Sequence, residues 1–223
     1  MAQAVGAVLA FAVGVGISPV PIIAVILMLF SKRARVNGPL FAVGWVVGLA
    51  VVVTVSYLLA GSLDVGRGTS DDGTSWFKVG LGVVLLAAGL RRWRSRPGPG
   101  EEAALPGWMG SIDRVGPVQA LGLAVLLSAV NPKNLLLAVG AGTTLAQADP
   151  TTAEAVVGVV VFVLVGSVVV LGAVGYDLVA GARSRERLDA GRVWLSTHND
   201  AVMATLLVVF GAVLLSQGLS LRT

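Results

Sequence analysis

The stretch Leu126–Val139, LLSAVNPKNLLLAV, sets four residues that resist burial in a helix, Asn131-Pro132-Lys133-Asn134, between two apolar runs. A soluble protein places such a tetrapeptide in a surface turn. Here the apolar segment extends outward to residues 117–146, thirty positions in all. As one straight helix it would run about 45 Å, at about 1.5 Å per residue, against a hydrocarbon core near ~30 Å. The segment is therefore strongly tilted or broken. Proline removes a backbone donor and pushes its predecessor out of helical angles, which puts the break at Asn131-Pro132. The same reasoning applies to residues 2–30, interrupted by Ser18-Pro19-Val20-Pro21.

The wider composition supports a lipid environment. Of 223 residues, 56% are hydrophobic and 13% charged, against about a quarter charged in soluble domains. Apolar segments fall at roughly 2–30, 39–61, 76–90, 117–146, 150–180 and 200–219, which predicts an all-α protein with six spans. Pro39, Pro117 and Pro150 open three of them, where a missing N–H costs nothing. Asp149 is the expected N-cap of the fifth. No Lys or Arg precedes Lys32, so residues 1–30 read as a retained span rather than a cleaved signal.

Twelve of sixteen basic residues cluster in three alternate loops: Lys32, Arg33 and Arg35; Arg91, Arg92, Arg94, Arg96 and Arg114; Arg183, Arg185, Arg187 and Arg192. By the positive-inside rule, both termini lie outside the cytoplasm. Tyr57 and Trp76 fall near the outer boundary, and Trp93, Tyr176 and Trp194 near the inner one, as an aromatic belt.

Span 3 ends GVVLLAAGL (Gly82–Leu90) and span 6 ends GAVLLSQGL (Gly211–Leu219); span 2 ends YLLAG and span 5 YDLVAG. The proline motifs of spans 1 and 4 complete an ordered match of 1 with 4, 2 with 5 and 3 with 6. The expected architecture is a three-helix unit at 1–90, a basic linker at 91–116 containing PGPGEEAALPG, and an inverted copy at 117–223. Interrupted segments at corresponding positions of inverted repeats point to a binding site.

Backbone groups released by the two breaks must face protein or a watery cavity. Lys133 falls mid-span, where a lysine costs roughly 2.5–3.5 kcal/mol on insertion scales. The candidate substrate-binding residues are therefore Ser18, Pro19, Pro21, Asn131, Pro132, Lys133 and Asn134. Helix N-termini and an ammonium together suit a carboxylate, sulfate or phosphate. The bland alternatives are a packing kink at the prolines and a lysine that only caps freed carbonyls. Asp177 and Asp200, near helix ends, are candidate gate or proton sites. His198 with Asn199 and Asp200 reads as a helix-start cluster, and Gly44 with Gly48 as helix packing.

Several classes are excluded. The chain has no cysteine and one histidine, which argues against disulfides, metal sites and hydrolytic chemistry. No enzyme activity and no cofactor are expected. No GxxxxGK[ST] loop is present for ATP. The dispersed basic residues do not form a nucleic-acid footprint.

The Asn131-Pro132-Lys133 motif, with a Pro-x-Pro in the first span, resembles the LysE superfamily of exporters. Residues Ile17–Trp45 and Leu126–Gly142 are most similar to its GAP, or Sap-type, branch of actinobacterial envelope proteins. The resemblance implies a six-helix exporter in the cell membrane that moves glycolipids or peptidoglycolipids toward the surface. It maps Pro19 and Pro21 onto the first-span motif and Asn131, Pro132 and Lys133 onto the fourth. Amino-acid exporters of the superfamily read Pro-Gly-Pro with a polar residue close behind; here Val20 stands in place of the glycine and Ile22-Ile23-Ala24 follow. That mouth suits an amphiphile better than a zwitterion. Lipid or glycolipid export is the leading expectation. Efflux of amino acids or cations, and a non-transporting scaffold for envelope assembly, are the alternatives. Expected partners are the membrane, the lipid substrate, a second copy of the chain and envelope-lipid synthesis or export proteins.

Overall fold

The computed structural model describes residues 2–62, 76–95, 112 and 114–219. Eight α-helices are found among them: α1 (Ala2–Gly16), α2 (Pro19–Phe30), α3 (Ala34–Ser62), α4 (Trp76–Arg94), α5 (Pro117–Val125), α6 (Pro132–Gln147), α7 (Thr152–Ala180) and α8 (Ser184–Gly218). A π-helical turn, Leu126–Val130, joins α5 to the break before α6. No strand occurs among the described residues.

The two long apolar segments are broken where the prolines predict. α1 and α2 meet at 54°, and the α5–π segment and α6 meet at 58°. α3, α7 and α8 are each long and apolar enough to cross a membrane, and counting each bent pair as one span brings the number to five. α4 falls short of the expected sixth span by this measure. Lys78 at one end and Arg91, Arg92 and Arg94 at the other leave only residues 79–90 uncharged.

Side-chain placement fits a lipid solvent. Val43, Val47, Val51, Val55 and Leu58 on α3, and Val156, Val160, Leu164 and Val168 on α7, are all exposed. Spaced three and four apart, they form apolar stripes that water would disfavour and lipid accepts. On the opposite face of α3, Phe41, Trp45, Leu49 and Val53 are buried. The Trp45 indole donates to the Gly166 carbonyl of α7 at 3.2 Å.

Glycines allow the close packing. A methyl on Gly44 would come within 2.5 Å of the Leu121 carbonyl, and one on Gly48 would overlap Ser128. The Gly44–Gly48 pair is therefore the seat of α5 and its π turn on α3, as small residues are in membrane bundles. α4 lies antiparallel along α8, with Gly82 and Gly211 facing one another; a methyl on either would come within 2.9 Å of the other's carbonyl oxygen.

Three boundaries differ from expectation. Pro39 lies inside α3 rather than at its start, because the Arg33 carbonyl already accepts from Val36 N at 3.0 Å and Asn37 N at 2.9 Å. The proline then forfeits only the bond to the Arg35 carbonyl. α7 is capped by Thr151, not Asp149: Thr151 N donates to the Glu154 carboxylate at 3.1 Å and Glu154 N to Thr151 Oγ1 at 3.4 Å. Asp149 has φ 47°, outside the extended range that an N-cap residue takes, and the helix begins only at Thr152. α8 begins at Ser184 rather than near residue 200. Its polar start is helix, not loop, supported by an Asp189–Arg192 ion pair at 2.8 Å and by Leu188 and Leu195 packed on the core. His198 is consequently mid-helix, its ring stacked on Trp194 at 4.7 Å between centroids, and is no helix-start cluster. The linker residues 97–107 lie outside the described residues.

Candidate functional site

The break in the first segment releases a carbonyl. Ser18 N bonds to Val15 O at 3.2 Å and Ile17 N to Val13 O at 3.1 Å, so both turns pass over Gly14 O. Pro19 brings no N–H of its own. The break in the second segment does the same: Asn131 N bonds to Leu126 O at 3.1 Å in the π turn, and Pro132 has no donor for Leu127 O. Each orphaned oxygen belongs to the residue five before the break proline.

Side chains of α6 satisfy both. Lys133 Nζ donates to Gly14 O at 2.7 Å and to Ser18 Oγ at 2.7 Å. Ser18 Oγ donates to Asn134 Oδ1 at 2.8 Å, and Asn134 Nδ2 donates to Leu127 O at 3.0 Å. Asn131 caps α6 by accepting from Lys133 N at 3.1 Å. Ser18, Lys133 and Asn134 are 2%, 4% and 0% exposed. The chain of bonds stitches the two breaks together, and an isolated buried polar group of this kind would cost about 1–3 kcal/mol if left unpaired.

Lys133 also faces open space. A cavity of about 420 Å³ is lined by Asn131, Pro132 and Lys133 of the second break, by Arg91 and Arg92 of α4 and Ser95 just beyond it, and by Leu136, Met203 and Leu207 among its apolar wall. Two of the three ammonium hydrogens have acceptors in the bundle. Among the described residues no carboxylate pairs with Lys133. Arg92 does have a partner, Asp200 of α8, at 2.7 Å. Three cations and an apolar wall thus share one cavity, and Asp200 neutralises one of the three through Arg92.

The expected site residues divide by role. Asn131, Pro132 and Lys133 line the cavity. Ser18 and Asn134 stand behind Lys133 and hold it. Pro19 and Pro21 are buried in the first turn of α2, where they make the break, and do not line the Lys133 cavity. Asp200 reaches the cavity mouth through Arg92. Asp177 does not join this site. It accepts from Ser184 Oγ at 2.7 Å and lines a separate cavity of about 670 Å³ with Arg35 and Arg185. Arg91, Arg92 and Ser95 escape a linear reading, because an arginine run after an apolar segment looks like any cytoplasmic flank. Only the approach of α4 to α6 turns it into a wall.

The apolar helices, the lipid-facing stripes and the buried cation between two broken segments define a multi-pass helical membrane protein. The chain belongs to the Sap, sulfolipid-1-addressing protein, family, whose model matches residues 8–220. No curated protein and no solved structure matches it significantly.

Proposed function

We propose that this protein moves an anionic lipid or glycolipid across the cell membrane toward the envelope surface, as a transporter of the LysE-superfamily kind rather than an enzyme. The observation that carries the reading is Lys133: a buried ammonium, held by two bonds to the first break, facing a cavity it shares with Arg91 and Arg92. An uncompensated buried cation is costly, and an anionic head group entering the cavity offsets that cost. Leu136, Met203 and Leu207 line the same cavity, so acyl chains continue into lipid while the head group stays among the cations. The family's association with sulfolipid supports a lipid cargo.

On this reading the chain has six spans in two inverted three-helix repeats, with both termini outside. α4 serves as the sixth span: it lies along α8, and the arginines at its end reach the interface. Arg35 and Arg185 line one cavity and Arg92 pairs with α8, which favours gathering the basic loops at one membrane face. The Arg92–Asp200 pair then acts as a gate: the arriving anion competes with Asp200 for Arg92.

The test is a proteoliposome assay with fluorescent phosphatidylglycerol and phosphatidylcholine placed in one leaflet. The expected result is protein-dependent movement of the anionic lipid, lost in Lys133→Gln. Movement of neither lipid, with efflux of a radiolabelled amino acid instead, transfers the assignment to hydrophilic metabolites. No transport of any of these, together with an unaffected Lys133→Gln strain, favours the scaffold.

A further inference from the structure

The contacts between α4 and α8 recur with a constant shift of 129 residues. A methyl on Gly82 would meet Gly211 O and Leu215, and one on Gly211 would meet Gly82 O and Leu86. Gly89 faces Val208, and Gly218 faces Val79. Adding 129 to Val79, Gly82, Leu86 and Gly89 yields Val208, Gly211, Leu215 and Gly218. Each contact is the image of another, as a local two-fold axis requires. The breaks correspond with a shift of 113: Pro19 with Pro132, and the released carbonyl of Gly14 with that of Leu127. Thus α2 maps onto α6, and α4 and α8 exchange.

The cavity breaks this symmetry. It lies among α4, α6 and α8, and its image lies among α8, α2 and α4. There, α2 packs along α8, whereas α6 meets α4 only sparsely. Pro132 is exposed but its image Pro19 is buried; Leu136 is half-buried but its image Ile23 is fully buried. One of two equivalent gaps is open and the other is shut. The map also carries Leu207, on the open wall, onto Lys78, which is 9% exposed in the first turn of α4. The chain has three lysines, Lys32, Lys78 and Lys133. Two of them thus mark the two gaps.

We infer that the shut gap between α2 and α8 is a second anion site, with Lys78 as its cation. An anionic head group leaving Lys133 toward the end of the bundle away from Arg91 and Arg92 is received by Lys78, once α2 parts from α8. The Lys78 Cβ packs against Gly218, which anchors the stem and leaves the ammonium to act as a point charge for a phosphate or sulfate oxygen. This inference rests on the transport reading above.

The absence of cysteine makes an introduced thiol unique. Full-length Lys78→Gln, Lys78→Arg and Lys133→Gln are compared in proteoliposomes carrying fluorescent phosphatidylglycerol. Lys78→Gln is expected to slow lipid movement at least about tenfold, the loss of one charge-assisted bond. Lys78→Arg restores it, and the thermal shift given by phosphatidylglycerol at Lys133 stays at the wild-type value. A thiol at Ile23 (Ile23→Cys) is expected to react with a membrane-impermeant maleimide only when phosphatidylglycerol is present. If Lys78→Gln moves lipid at the wild-type rate while Lys133→Gln does not, the second site is overturned and transport stands. If neither variant affects movement, the role of Lys133 in transport falls together with the second site. Should Lys78→Gln fail to fold, unchanged Ile23→Cys labelling with and without lipid overturns the inference alone.

Discussion

Replacing Lys133 with methionine separates holding the fold from holding an anion. The variant keeps the stem volume, removes the ammonium and orphans Gly14 O and one bond of Ser18. An orphaned buried carbonyl costs about 1–3 kcal/mol. Against this, the effective penalty for burying an ion is several kcal/mol, and it disappears. Lipid-free stability is therefore expected to be equal to the wild type or higher. Anion affinity responds differently. One charge-assisted hydrogen bond is worth about 1.5–3 kcal/mol, so affinity should drop about ten- to a hundredfold. At a lipid concentration of about 100 Kd the wild type gains about 2.7 kcal/mol; a roughly thirtyfold weaker site gains about 0.9 kcal/mol. For 223 residues, that difference of about 1.8 kcal/mol corresponds to roughly 4–7 °C of lost lipid-dependent shift. Thermal unfolding in neutral detergent, with and without phosphatidylglycerol, measures both quantities. An unchanged lipid shift, or a large fall in lipid-free stability, refutes the reasoning: the lysine would then be a carbonyl cap and nothing more.

Asp200→Asn releases Arg92 from its partner and should raise phosphatidylglycerol affinity a few-fold at most, since a half-exposed pair is worth about 0.2–1 kcal/mol; lipid titration of tryptophan fluorescence checks the sign. Ser18→Ala deprives Lys133 of an acceptor and Asn134 of a donor and should cost about 1–3 kcal/mol, read as a lowered unfolding midpoint. Gly82→Leu forces apart α4 and α8, where a single Cβ would already lie 2.9 Å from a carbonyl; a loss of about 1–3 kcal/mol or more is expected, with wild-type stability as the contrary result. Thr151→Ala removes the cap of α7 and should cost about 1 kcal/mol, measured in the same unfolding assay.

The two breaks and the burial of Lys133 were legible in the chain because proline chemistry is local. A missing N–H has the same consequence wherever the helix packs. The partners of Lys133 were not: Gly14 offers a backbone oxygen, and backbone oxygens carry no letter in a sequence. Arg91 and Arg92 were visible only as flanking charge, since what makes them a wall is the register of α4 against α6. Hydropathy misses the start of α8 because it reports where lipid begins, not where a helix does. Residues 184–199 are polar yet helical, held by the Asp189–Arg192 pair and by leucines on the core. The cap at Thr151 was in the sequence as a Thr-x-x-Glu box, whereas Asp149 has Thr152 three residues on and so lacks the reciprocal acceptor.

A cryo-microscopy map of the protein in nanodiscs of phosphatidylglycerol bears most directly on all of this. Head-group density within hydrogen-bond reach of Lys133 Nζ, between Arg91 and Asn131 and with its tails leaving past Leu136, is the predicted result. An ordered α6 with no density beside Lys133, in a map that resolves lipid elsewhere on the bundle, contradicts the account.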